Sequence, residues 1–148
     1  MAIEGPYGRL HQGVRLRRKV TLMGAGIGIT PLRALLEALP QGAGDVTLIY
    51  RASSAQDLVL RQEIDQVAAA RGARVFYVVG PRLRDRQSWL PSSAAHLGDA
   101  DALRRLVPDI AEQDVYLCGS GPWMAAARQA ALDVGVPSEQ VHEERFSW

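Results

Sequence analysis

The sequence lacks most of the features that mark secreted, membrane-spanning or nucleic-acid-binding proteins. Its single cysteine, Cys118, rules out an internal disulfide framework and a cysteine-rich zinc site. No apolar run approaches the roughly 20 residues that span a bilayer, and no secretory signal is recognisable. Acidic and basic residues nearly cancel, 16 against 17, which argues against a broad nucleic-acid-binding surface. We therefore expect a cytoplasmic domain with no nucleic-acid partner and no membrane contact by this segment.

The histidines give no indication of a metal site. His11, His96 and His142 are far apart in the chain, and their spacing from one another and from Cys118 is not that of metal ligands. We therefore predict that no metal is bound.

The apolar residues are sufficient for one compact core, since they make up 47% of a chain of 148 residues. Apolar runs that end at turn residues predict five strands, at residues 20–23, 46–50, 75–79, 115–118 and 140–146. Apolar residues at helical spacing predict helices between them, at 31–39, within 56–71, at 102–107 and at about 122–134. This alternation predicts an α/β fold, a three-layer sandwich around a five-stranded parallel sheet.

A glycine-rich turn follows the first predicted strand, where residues 24–31 read GAGIGITP. Without side chains, such a turn lets phosphate groups approach the backbone, and the following helix offers unpaired amide groups. Thr30 would cap that helix, with Pro31 at its first position, or donate its hydroxyl to a ligand. The other interpretation is a tight turn without a ligand. The usual dinucleotide fingerprint needs a third glycine where Ile29 stands, so this site differs from it. Its candidate ligand-binding residues are Gly24, Ala25, Gly26, Gly28, Thr30 and Pro31.

The end of the second predicted strand carries arginine and hydroxyl groups in place of the acidic residue that usually binds a ribose. Arg51, Ser53, Ser54 and Arg61 would suit a 2′-phosphate, which an acid would repel. This composition favours NADPH, with NADH possible. The alternative is that a serine caps the next helix and that Arg61 is an ordinary surface charge.

A second glycine turn follows the fourth predicted strand, where residues 118–124 read CGSGPWM. Its candidate residues are Cys118, Gly119, Gly121, Pro122 and Met124. Cys118 could instead be a small buried residue of the core.

The irregular stretch 82–98 contains a charged cluster, Arg82, Arg84, Asp85 and Arg86, which we interpret as a solvated face, or else as a docking surface for an electron partner. Trp89 and Leu90 would anchor this stretch.

Four segments together resemble one family. They are residues 5–8 (GPYG), 24–31, 118–124 and 144–148 (ERFSW), and their order and spacing cover essentially the whole chain. In these segments the chain resembles the NAD(P)-binding, Rossmann-like domain of the ferredoxin–NADP reductase superfamily, and most of all its bacterial branch of ferric reductase- and NADPH oxidase-like proteins.

The resemblance implies a flavin-dependent reductase of two domains. An upstream β-barrel in the same polypeptide would hold FAD, and this domain would deliver hydride to it from NAD(P)H. Residues 1–13 would then be the tail of that barrel with its linker, and 14–148 the nucleotide-binding domain. Electrons would pass to an acceptor protein or haem domain, a ferric chelate or an iron–sulfur protein. Because the flavin-binding motif R-x-Y-[ST] is absent, we expect this chain alone to be inactive.

The resemblance also implies roles for individual residues. The first glycine turn would hold the pyrophosphate, and Arg51, Ser53, Ser54 and Arg61 would surround the 2′-phosphate. Cys118 and Glu144 would lie near the nicotinamide C4 atom, and Phe146 or Trp148 would cover the flavin. Two other functions compete with this one: a free-standing module that binds or senses NAD(P)H, and an interaction domain that has lost its ligand.

The purified chain should therefore be colourless and free of FAD, because the residues that hold the flavin would belong to another domain. An absorbance spectrum of the purified chain tests this expectation. A flavin spectrum at one FAD per chain would contradict it.

Overall fold

The computed structural model describes residues 19–39 and 45–145, leaving aside the side chain of Arg145. Within these residues, five strands and four helices alternate along the chain. They are β1 (Val20–Ala25), α1 (Ile29–Ala38), β2 (Val46–Ala52), α2 (Arg61–Arg71), β3 (Arg74–Val79), α3 (Asp99–Leu106), β4 (Asp114–Gly119), α4 (Gly121–Asp133) and β5 (Val141–Arg145).

All five strands are parallel and follow the order β3-β2-β1-β4-β5. The chain moves outward from β1 to β3, crosses the sheet, and continues with β4 on the other side of β1. The strand order therefore reverses between β1 and β4, which is where α/β sheets bind ligands beyond the carboxyl ends of their strands. The predicted α/β sandwich with a five-stranded parallel sheet is confirmed.

Both faces of the sheet are covered, which explains why its central strands are continuous apolar runs. On one face, the leucine stripe of α1 packs with Leu22 and Leu48. On the other face, α3 and α4 pack with Met23 and Leu117. The predicted stripe of α1 is buried at each of its four positions, Leu32, Leu35, Leu36 and Leu39.

The structure corrects several predicted boundaries. α1 begins at Ile29 with Gly28 as its N-cap, so the prediction that Thr30 caps the helix and that Pro31 is its first residue is wrong. The reason is a 3₁₀ turn at Gly26–Gly28 that leads directly into the helix. Pro31 still falls within the first turn, where its missing amide hydrogen costs little.

Other elements also begin or end away from their predicted limits. β2 continues through Arg51 to Ala52, so Arg51 lies inside the strand. α3 begins at Asp99 and not at Ala102, whereas α2 begins at Arg61, after a separate 3₁₀ turn, and lies within its predicted limits. The predicted tail at residues 1–13 and the terminal aromatics Phe146 and Trp148 lie outside the described residues.

The two glycine turns are in contact through their backbones. A Cβ atom added to Gly28 would overlap the carbonyl group of Cys118 and lie 2.8 Å from the amide nitrogen of Gly119. A Cβ atom at Gly24 would lie 2.9 Å from a methyl carbon of Leu32 in α1. Glycine at position 24 therefore lets α1 approach β1, and glycine at position 28 lets the start of α1 approach the end of β4.

The Gly28→Ala substitution should lower the free energy of unfolding by about 3 kcal/mol, because the added methyl group would meet rigid backbone rather than a mobile side chain. Gly121→Ala is the matched control, since no atom lies within 4 Å of a Cβ atom at that position. Urea denaturation of both variants measures the difference. Equal stability of the two variants would contradict this account of the turn.

Candidate functional site

A cavity of about 920 Å³ opens at the carboxyl edge of the sheet. Its volume lies within the range typical of ligand pockets. Four successive strand ends contribute to its wall: residues 25–27 after β1, residues 51–53 with Asp57 and Val59 after β2, residues 82–88 after β3, and Ser120, Pro122 and Trp123 after β4. The cavity therefore lies where the reversal of strand order places a ligand site.

The turn after β1 forms a wall of backbone. Gly26 has a φ of 58°, a conformation that L side chains rarely adopt, and a Cβ atom there would meet nothing within 4 Å. The next residue, Ile27, is 57% exposed. Because α1 starts directly after this turn, its first unpaired amide groups lie at the same edge of the sheet and favour an anion.

The loop after β3 is fixed at its base. Gly80 has a φ of 153°, and a Cβ atom at this position would lie 2.9 Å from Pro91. The amide of Ser92 donates to the carbonyl of Pro81 at 2.8 Å, which closes the loop. Trp89 is fully buried, and its indole nitrogen donates to the carbonyl of Asp99 at 3.0 Å. The predicted anchoring by Trp89 is thus observed.

The carbonyl oxygen of Trp89 connects this loop to two other parts of the wall. Arg51 Nε in β2 donates to it at 3.1 Å, and Trp123 Nε1 in α4 donates to it at 3.3 Å. Arg51 also donates to the carbonyl of Ala52 through Nη1. Burial lowers the pKa of the Arg51 guanidinium from its usual value. Arg51 therefore lines the cavity but directs two of its donors to backbone oxygens.

Five of the predicted site residues line the cavity, namely Ala25, Gly26, Arg51, Ser53 and Pro122. The others that the structure describes lie elsewhere. They are Gly24, Gly28, Thr30, Pro31, Ser54, Arg61, Cys118, Gly119, Gly121, Met124 and Glu144. Several of these have visible packing roles. Met124 is buried in the core, and Gly119 allows the ring of Trp123 to approach its backbone.

Arg61 and Ser54 face their own neighbours rather than the cavity. The Arg61 guanidinium carbon lies 4.6 Å from the centre of the Tyr77 ring, and its Nε lies 3.9 Å from an Asp65 carboxylate oxygen. The Ser54 hydroxyl donates to Asp57 at 3.0 Å. The predicted cluster around a 2′-phosphate is therefore not assembled in full, since only Arg51 and Ser53 reach the cavity.

Sequence reasoning missed most of the wall after β3. Arg82, Arg84 and Asp85 are exposed and line the cavity, whereas the sequence predicts only a solvated face or a docking surface there. It also missed the apolar rim of Ile27 and Val59, which are 57% and 71% exposed. The sequence does carry one indication of the wall after β3. Residues 82–98 form a long, irregular stretch that begins at the carboxyl end of a strand, and such stretches are often functional.

Cys118 lies in the buried interior of the sheet. Its side chain belongs to the core beneath α1, and its register neighbours are Gly24 in β1 and Glu144 in β5. Burial, and secondarily the charge of Glu144, raise the pKa of the Cys118 thiol to about 12. The thiol is therefore neutral at physiological pH and is suited to packing rather than to nucleophilic attack.

Cys118 should resist alkylation as long as the chain is folded. At pH 8 the raised pKa lowers the thiolate fraction by about 1000-fold relative to an ordinary thiol, and burial excludes the reagent as well. Mass spectrometry after iodoacetamide treatment should show no modification of the folded chain from pH 7 to pH 9, and complete modification in urea. Equal labelling rates in the two states would contradict the burial of this thiol.

Two kinds of feature are absent from the residues that the structure describes. No helix among them is long and apolar enough to cross a bilayer. In the same residues, no three His, Cys, Asp or Glu side chains lie close enough together to hold a metal ion.

Comparison with known proteins agrees with the geometry. Residues 22–129 match the family of the oxidoreductase NAD-binding domain. The chain is 35% identical over 126 residues to the ferredoxin reductase component of 3-ketosteroid-9-alpha-monooxygenase from Mycobacterium tuberculosis, covering 84% of this chain and 32% of that protein. It is 31% identical over 136 residues to the flavohemoprotein of Vibrio cholerae, covering 90% of this chain and 32% of that protein. The chain thus spans about a third of the length of these relatives.

A solved structure shows the same arrangement. The FAD/NAD-binding domain of nitric oxide dioxygenase from Vibrio cholerae superposes with a TM-score of 0.68 at 28% identity, covering 96% of this chain and 55% of that one. The sequence motifs, the parallel sheet with its reversal beside β1, and these matches agree. The chain belongs to the oxidoreductase NAD-binding domain family of the ferredoxin reductase superfamily.

Proposed function

We propose that this chain is the nucleotide-binding half of a flavin-dependent NAD(P)H oxidoreductase. It would bind NAD(P)H in the cavity and position the nicotinamide for hydride transfer to FAD, which an upstream domain of the same polypeptide would hold. The observation that carries the proposal is the cavity itself. It lies beside the reversal of strand order, and its wall includes a side-chain-free turn that leads into a helix N-terminus.

The residues of the wall fit the parts of a dinucleotide. The backbone at Gly26 and the first amide groups of α1 would bind the pyrophosphate. Ile27 and Val59 are the two large apolar side chains that the described residues leave strongly exposed, and both face the cavity. They would cover the flat faces of a nucleotide base. The cofactor supplies the hydride, while the protein sets distance and orientation.

The nicotinamide end would point toward β4 and β5. Glu144 lies opposite Cys118 in the register of these two strands, and both are near their carboxyl ends. Glu144 would orient the nicotinamide carboxamide, and Cys118, whose side chain is fully buried beneath α1, would support this edge of the sheet under the nicotinamide. Phe146 or Trp148, beyond the described residues, would cover the flavin until nicotinamide displaces it.

The relatives support an electron-transfer role of this kind. They include a ferredoxin reductase component and a flavohemoprotein, and a similar solved structure is described as an FAD/NAD-binding domain. The acceptor would accordingly be an iron–sulfur protein, a haem domain or, as in the ferric reductase-like branch, ferric iron. A cytoplasmic location belongs to the same proposal.

Calorimetric titration should show that the isolated chain binds NADPH and that it binds NADH less tightly. Ile27→Asp should weaken the binding of both by about tenfold, because it places a negative charge beside the expected pyrophosphate position. Ala70→Asp is the matched control, since it adds the same charge on an exposed part of α2 away from the cavity. If the unaltered chain bound neither nucleotide, the proposed function would be wrong.

A further inference from the structure

We propose that Asp99, which lies outside the cavity, is a positioning residue that fixes the wall against which the nucleotide binds. As the first residue of α3, it accepts hydrogen bonds from Trp89. The Trp89 carbonyl in turn accepts from Arg51 and Trp123, which line the cavity. The consequence for nucleotide binding rests on the proposed function, whereas the consequence for the wall itself does not.

Asp99 contacts the loop after β3 through every oxygen atom that it carries. One carboxylate oxygen, Oδ1, accepts from the Ser88 hydroxyl, and the other, Oδ2, accepts from the Trp89 amide at 3.3 Å. The backbone carbonyl of Asp99 accepts from the Trp89 indole nitrogen at 3.0 Å. Because Trp89 is fully buried, both of its N–H groups depend on these acceptors.

The carboxylate also joins two further groups of the loop. Arg86 Nη2 lies 3.9 Å from Oδ1 and donates to the carbonyl of Leu97 at 2.8 Å. The Ser88 hydroxyl, which donates to Asp99, accepts from the amide of Leu90 at 3.0 Å. Asp99 thus lies at the centre of a connected network of hydrogen bonds, and such a network holds its members in one arrangement.

A second acid in the same turn of α3 shows what is particular to Asp99. The first turn of a helix favours negative charge at either position. The Asp101 side chain is 67% exposed, and its ion pair, at 3.0 Å, is with Arg104 of the same helix. The Asp99 side chain is 22% exposed and faces the loop. Two acids of one helical turn therefore differ in their contact with the loop.

The Trp89 carbonyl extends this placement to the cavity. It accepts from Arg51 Nε in β2 at 3.1 Å and from Trp123 Nε1 in α4 at 3.3 Å, and both donors line the cavity. A shift of Trp89 would therefore weaken both bonds at once. Asp99 is not one of the residues that line the cavity. Loss of its side chain would thus affect a bound nucleotide through the position of the wall.

The Asp99→Ala substitution should loosen the wall while the chain stays folded. The Trp89 amide and the Ser88 hydroxyl lose their acceptors, so the N–H groups of Trp123 Nε1 and Arg51 Nε should exchange with solvent about tenfold faster. Asp101→Ala is the matched control, because it removes the same charge from the same helical turn. Nuclear magnetic resonance measures the exchange of these groups and of the backbone amides, and urea denaturation measures global stability.

Calorimetric titration of the same variants with NADPH and NADH tests the consequence for binding. Asp99→Ala should lower the affinity for both nucleotides by about tenfold, because binding must then order the wall as well. Asp101→Ala should stay within about twofold of the unaltered chain. Asp99→Ser keeps one oxygen for the Trp89 amide and should recover part of the loss. It takes the place of Asp99→Ala if that variant does not fold.

The inference is overturned if the Trp123 and Arg51 N–H groups exchange at their original rates in Asp99→Ala. It is also overturned if exchange rises equally throughout the sheet, since Asp99 would then contribute only to global stability. Unchanged affinity for both nucleotides, or an equal loss in Asp101→Ala, contradicts it as well. If the unaltered chain bound neither nucleotide, the proposed function would be wrong, and the exchange rates would still decide whether Asp99 fixes the wall.

Discussion

The backbone contact between Gly28 and the carbonyl of Cys118 is the constraint on which the site depends. It brings the start of α1 against the end of β4, beside the point where the strand order reverses. The neighbouring Gly119 then lets Trp123 approach the backbone, and Trp123 donates to the carbonyl of Trp89. Three of the four segments around the cavity are therefore positioned through contacts that begin at this one pair of turns.

Arg51 shows how a residue type can suggest one role and perform another. An arginine at a strand end near a phosphate site suggests a ligand contact, but in this fold its strand continues and its side chain is buried. Its charge remains at the cavity wall, while its donors add to the hydrogen bonds that the carbonyls of Trp89 and Ala52 already accept from Trp123 and from the amide of Gly80. It thus supports the shape of the site and adds to the local potential at the same time.

The fold could be predicted because each strand and helix is marked by the pattern of its own consecutive residues. Continuous apolar runs identify strands that are buried on both faces, and the leucine stripe identifies α1 without reference to the rest of the chain. The start of α1 was mispredicted, since Thr30-Pro31 is a common helix opening and nothing in the sequence reveals the preceding 3₁₀ turn.

The composition of the site was only partly predictable, because it depends on strand order. The glycine turns could be found from their spacing, and Ala25, Gly26 and Pro122 do line the cavity. Whether Arg61 or Arg82 faces the cavity depends on where α2 and the loop after β3 lie relative to β1. Residues of the same type, each placed after a strand, look equivalent in a sequence. The assigned roles of Phe146 and Trp148 remain predictions.

The loop after β3 is attached to the rest of the domain through hydrogen bonds at its base. Its base is held by backbone atoms: the carbonyl of Trp89 accepts from Arg51 and Trp123, and Ser92 pairs with Pro81. The side chains of Arg82, Arg84 and Asp85 take no part in these bonds. Substitutions at these three positions can therefore change the wall of the cavity without unfolding the domain.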